Sequence, residues 1–113
     1  FHSPLMKPAQ TVMAAALKEV KAQEPQIALI SNVAASAVKT KDEIIQNLIN
    51  QVTGSVRWRE TLDWMSEQGV DEVFELGAGK VLSGIIKRSH KEMNASSIGT
   101  IAEIEELANH LSK

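Results

Sequence analysis

Chemistry in this chain starts with three histidines, His2, His90 and His110, and with the glycine turn Gly77-Ala78-Gly79-Lys80. Histidine is the side chain that both takes and returns a proton near neutral pH. No two of the three have metal-ligand spacing, and there is no cysteine, so a disulfide framework and thiolate metal sites are excluded. His90 and His110 fall near the ends of predicted helices, where a surface position against the helix dipole is the simple reading. His2 stands apart, in a Phe-His-Ser-Pro loop just before a helix start. The glycine turn follows a predicted strand and opens a helix, as a phosphate loop does, but its spacing fails. Phe74 stands where a P-loop needs its first glycine, Val81 where it needs Ser or Thr, and Leu82 where a dinucleotide loop needs its third glycine. The turn reads as a tight strand-to-helix connection. The carboxylate pairs Asp42-Glu43, Asp71-Glu72 and Glu105-Glu106 lie at helix starts or on solvated faces and make no acid/base pair.

The elements that must position these residues follow from periodicity. Ser3 caps and Pro4 opens a helix over residues 4–23, ended by Pro25. Residues 27–31 are a short apolar strand. Ile44, Leu48 and Val52, beside Ile45 and Ile49, give a second helix a wide apolar stripe until Thr53-Gly54-Ser55 breaks it. A third helix covers residues 57–68, with Trp58 and Trp64 as packing residues and Gly69 as its stop. A strand over 72–76, a helix over 80–90, a short strand over 95–98 and a helix over 101–111 complete the chain. Strands alternating with helices predict an α/β fold with a parallel sheet. Three short strands make a small sheet, which predicts that residues 1–113 are part of a larger domain.

Composition narrows the function classes. The 113 residues carry 12 Lys+Arg against 14 Asp+Glu, a net charge of −2 that offers no nucleic-acid footprint or polybasic membrane patch. Apolar residues make up 43%, typical of globular protein, and no stretch approaches the ~20 apolar residues of a bilayer span. A reducing, cytoplasmic setting fits the lack of cysteine.

Together the segments resemble a family. Phe1-His2-Ser3-Pro4-Leu5-Met6-Lys7-Pro8 resembles the histidine loop of malonyl-CoA:acyl carrier protein transacylases, and Ile30-Ser31-Asn32-Val33 that family's following strand. Gln51 with Val56-Arg57-Trp58 resembles its Q…V-x-W segment, and residues 74–84, Phe-Glu-Leu-Gly-Ala-Gly-Lys-Val-Leu-Ser-Gly, its E-x-G-P-G-K-V-L-x-G signature with Ala78 in place of proline. The resemblance implies the C-terminal portion of an α/β-hydrolase-like acyltransferase subdomain, with the serine elbow and a ferredoxin-like insert upstream. It implies transfer of a malonyl group from malonyl-CoA to a serine, then to the phosphopantetheine thiol of acyl carrier protein, in fatty-acid synthesis. Residue by residue, His2 matches the catalytic histidine, Gln51 the residue whose main-chain carbonyl orients it, and Phe1 a position beside the acyl pocket; Gly77 and Gly79 match turn glycines. The implied partners are malonyl-CoA, acyl carrier protein and the missing N-terminal part, with no cofactor, metal, nucleic acid or membrane. No G-x-S-x-G occurs in these 113 residues, so the chain alone is predicted to be inactive. A polyketide-synthase acyltransferase domain and a non-catalytic α/β interaction module are the alternatives.

Overall fold

The computed structural model describes residues 1–112. The described residues form two compact units, divided between residues 64 and 65.

The first unit opens with Ser3 in extended conformation, its hydroxyl accepting the Leu5 N–H and capping a single 3-10 turn, Pro4–Met6. That turn leads into α1, Lys7–Lys18. The helix ends five residues before the predicted stop at 23. Beyond Lys18 only Val20 and Ala22 are apolar, and Val20 is 54% exposed, so continuing the helix would bury too little to order it. The predicted strand over 27–31 contracts to β1, Leu29–Ile30. Its partner is β2, Ala37–Val38, which the sequence did not announce, and the pair is antiparallel, Leu29 opposite Val38. The expectation that this strand joins a parallel sheet is therefore corrected: it closes a hairpin whose tip is held by Ala35 N–H to Ser31 O at 2.8 Å, with Ala35 at φ 53°.

Thr40 caps α2, Lys41–Asn50, through the Glu43 N–H. Glu24 accepts the Lys41 N–H at 3.1 Å, satisfying another donor of the first turn. A turn over 51–54 follows. Arg57 then ties the start of α3, Trp58–Glu67, to the hairpin tip: its main-chain N–H reaches Asn32 O at 2.8 Å, its guanidinium reaches Ala34 O at 3.3 Å, and the same guanidinium pairs with Glu60. Ala35, Val38, Val52 and Leu62 are the buried apolar side chains of this unit.

In the second unit β3, Glu72–Leu76, and β4, Asn94–Ile98, run parallel in a two-stranded sheet from Glu72 opposite Asn94 to Leu76 opposite Ile98. α4, Val81–Ser89, is the crossover between them, and α5, Ile101–Leu111, follows behind a reciprocal Thr100–Glu103 capping box. This is the predicted parallel α/β unit, and the chain's fold is α/β. Ile86, Met93 and Ala95 are buried. Much of the apolar surface is not: Leu76, Val81 and Ile101 are each more than 70% exposed.

His90 departs from the surface position predicted for it. It caps the C-terminus of α4 and is 8% exposed, with Nδ1 2.9 Å from Ser89 Oγ. His110 is exposed as expected, its Nε2 2.9 Å from a carboxylate oxygen of Glu72.

Candidate functional site

The histidine loop is built against the turn that ends α2. The last carbonyls of a helix have no partners within it, and here the N-terminal segment supplies donors for the carbonyls of this turn. His2 N–H donates to Val52 O at 2.8 Å, and Ser3 N–H to the same oxygen at 3.4 Å. The His2 ring completes the set, with Nδ1 2.9 Å from Gln51 O. A carbonyl oxygen only accepts, so Nδ1 carries the hydrogen and the neutral ring presents Nε2 as its lone-pair nitrogen. Nothing in the side chain of Gln51 is needed for this. The ring is exposed, so Nε2 is accessible.

His2 adopts φ 67°, in the left-handed region that non-glycine residues seldom occupy. Such a conformation costs on the order of 1–3 kcal/mol and persists only where the surroundings over-determine it. Here three hydrogen bonds to two adjacent carbonyls do so, on a turn whose Val52 is fully buried. Phe1 lies edge-on to His2, ring centroids 6.3 Å apart at 85°, and is 58% exposed.

The turn has a further support that the sequence did not announce. Gln10, in the second turn of α1 and only 9% exposed, donates Nε2–H to Ile49 O at 3.0 Å and to Thr53 Oγ1 at 3.2 Å. A glutamine in an alanine-rich helix has no signature of this role, because its partners are a main-chain oxygen and a threonine some forty residues away.

Gly77 and Gly79 belong to the second unit. Both have positive φ, 129° and 90°, which explains glycine at each. Gly77 N–H continues the sheet to Ile98 O at 3.0 Å. The helix start beyond this turn is not open to an anion. Glu75 at the end of β3 folds back and accepts from Leu82 N–H, Ser83 N–H and Ser83 Oγ–H at 3.2, 2.9 and 2.8 Å. The Ser83 main-chain bond, then its hydroxyl, holds the Glu75 carboxyl below the ordinary carboxylate range. The glutamate of the signature is thus a cap supplied by a strand to the next helix, a role that its spacing alone did not show. No helix among the described residues is long and apolar enough to cross a membrane.

No family model matches the chain. A malonyl CoA-acyl carrier protein transacylase from Synechocystis sp. is 36% identical over 107 residues, 95% of this chain and 36% of that protein. The crystal structure of an acyl-carrier-protein S-malonyltransferase from Bartonella henselae superimposes on the whole chain with a TM-score of 0.90 at 43% identity, covering 36% of that protein. The chain is homologous to part of a malonyl-CoA:acyl carrier protein transacylase. It spans about a third of the length of these relatives. A malonyl-transacylase solved in complex with a type II polyketide-synthase acyl-carrier protein is 34% identical, with a TM-score of 0.84 over 96% of this chain and 35% of that one. These transacylases are acyltransferases.

Proposed function

We propose that this chain contributes the proton-transfer half of a malonyl-CoA:acyl carrier protein transacylase, in cytoplasmic fatty-acid synthesis. The observation that carries the proposal is the His2–Gln51 hydrogen bond, which orients the ring so that its neutral form presents Nε2 as the lone-pair nitrogen. In the proposed reaction Nε2 takes the proton of a serine hydroxyl supplied by the rest of the enzyme as that oxygen attacks the thioester carbon of malonyl-CoA. The carbon–sulfur bond breaks, and the imidazolium returns the proton to the departing coenzyme A thiolate. Nε2 next removes the proton of the acyl carrier protein phosphopantetheine thiol. The sulfur attacks the malonyl-serine ester, and the proton passes back to the serine oxygen. The two substrates are consumed without a further cofactor. The Gln51 carbonyl steadies the positive ring in both halves, as an Asp does in other serine enzymes.

Phe1 would line the acyl pocket and disfavour branched acyl groups; one extra methyl is typically discriminated by about 1–3 kcal/mol. The chain holds a base without its nucleophile, so it transfers nothing alone.

Denaturing mass spectrometry after exposure to malonyl-CoA tests this. The isolated chain stays unmodified. The Bartonella henselae enzyme with its matching third replaced by this chain gains one malonyl group outside the grafted residues. A malonyl adduct on the isolated chain, or none on a folded chimera, overturns the proposal.

A further inference from the structure

We propose that Gln10 is a positioning residue for His2, acting through the turn that carries the Gln51 carbonyl. The inference deepens the reading of His2 as a base and rests on it for its functional meaning. Gln10 bonds Ile49 O and Thr53 Oγ1, the residues on either side of the segment whose carbonyls receive the histidine loop. It thus clamps both ends of the turn while the two oxygens between them, on Gln51 and Val52, face the histidine loop.

The amide has one orientation that works. Lys7 Nζ, which only donates, lies 3.0 Å from Gln10 Oε1, so the oxygen faces Lys7 and the NH2 group faces the turn. Lys7 and Gln10 both lie on α1, one helical turn apart, and α1 follows directly from the histidine loop through the Pro4–Met6 turn. The result is a closed circuit: His2 to Gln51, along the turn to Ile49 and Thr53, across to Gln10, and back along α1 to His2. The acceptor of the histidine ring and the ring itself are referenced to the same helix. Gln10 is also the only buried residue of α1, so its bonds are made where water competes poorly. Without the clamp, the turn keeps its covalent path but loses the restraint on the direction of the Gln51 carbonyl.

Nitrogen-resolved NMR of the imidazole rings in the full 113-residue chain reads this directly, because the tautomer ratio of His2 reports whether Nδ1–H is held. In the unaltered chain His2 is mainly the Nδ1–H form. In Gln10→Leu, which keeps bulk and removes the donors, the ratio of Nδ1–H to Nε2–H falls roughly fivefold, the factor one net hydrogen bond carries. Gln10→Glu, which keeps the acceptor for Lys7 and loses the NH2 group, gives the same shift and serves if the leucine variant does not fold. Thr53→Val, which removes one of two acceptors, gives a smaller one. The rings of His90 and His110 report whether each variant is folded and keep their own ratios. An unchanged His2 ratio in the folded variants overturns the proposal and leaves Gln10 a packing residue. An unaltered chain without Nδ1–H preference overturns it too. Neither outcome depends on malonyl transfer, so failure here is distinct from failure of the base assignment.

Discussion

Replacing Gly54 with alanine gives two physical effects of opposite sign, and the structure decides between them. Gly54 closes the turn that holds Gln51 and Val52, its N–H 2.9 Å from Asn50 O. It is not among the residues with positive φ, so alanine fits the backbone there. On that ground alone the substitution would stabilise the chain by about 0.4–1 kcal/mol, by narrowing the unfolded ensemble. Space says otherwise. A Cβ at 54 would stand 2.8 Å from Val33 Cγ2 and 2.9 Å from Asn50 O. The valine methyl can rotate away, but the carbonyl is part of the α2 terminus and moves only with the turn. Overpacking of this kind costs about 1–3 kcal/mol. The net expectation is destabilisation by about 0.5–2 kcal/mol. At about 4 °C per kcal/mol for a chain of this size, the melting temperature falls by about 2–8 °C. Thermal unfolding followed by circular dichroism measures it. A Gly54→Ala chain as stable as the unaltered one, or more stable, would refute the packing of this turn.

Gly77→Ala and Gly79→Ala place a side chain at φ 129° and 90°, so each lowers stability by about 1–2 kcal/mol in the same melt. Gln51→Ala changes the His2 tautomer ratio little because the main chain does the work, whereas Val52→Pro, which removes the N–H bonded to Ile49 O, abolishes the Nδ1–H preference in the NMR measurement. The carboxyls of Glu75, held by Ser83, Glu103, held by Thr100, and Glu60, held by Arg57, all sit below their ordinary value of 4.5. Their stabilisation is therefore complete above that pH and lost as pH falls through the lowered folded values. Denaturant midpoints fall on acidification below about pH 4.5, and Glu75→Gln lowers the neutral-pH midpoint while flattening that acid limb.

What the sequence disclosed was whatever depends on side-chain type along a local period. The strand over 72–76 and the helix over 101–111 lie where hydrophobic spacing puts them, and Ser3 with Pro4 marked the turn that leads into α1. Main-chain partnerships were out of reach. The β1–β2 hairpin rests on two-residue strands, too short to show a period. His90 is buried at the end of α4, which its place near a helix terminus does not disclose. At the site, His2, Gln51 and Phe1 were legible through resemblance, and the structure brings these three together. The Gln10 clamp and the Glu75 cap were not, since hydrogen bonds from one side chain to distant backbone leave no spacing to read.

In the proposed reaction His2, held by the Gln51 carbonyl, moves the protons of malonyl transfer. The most direct test is kcat/KM for malonyl transfer to acyl carrier protein by the Bartonella henselae chimera carrying this chain, with and without His2→Ala. The expected loss is about 10²–10⁴-fold, the usual worth of a positioned acid–base group. A folded His2→Ala chimera that keeps its rate within threefold would contradict it.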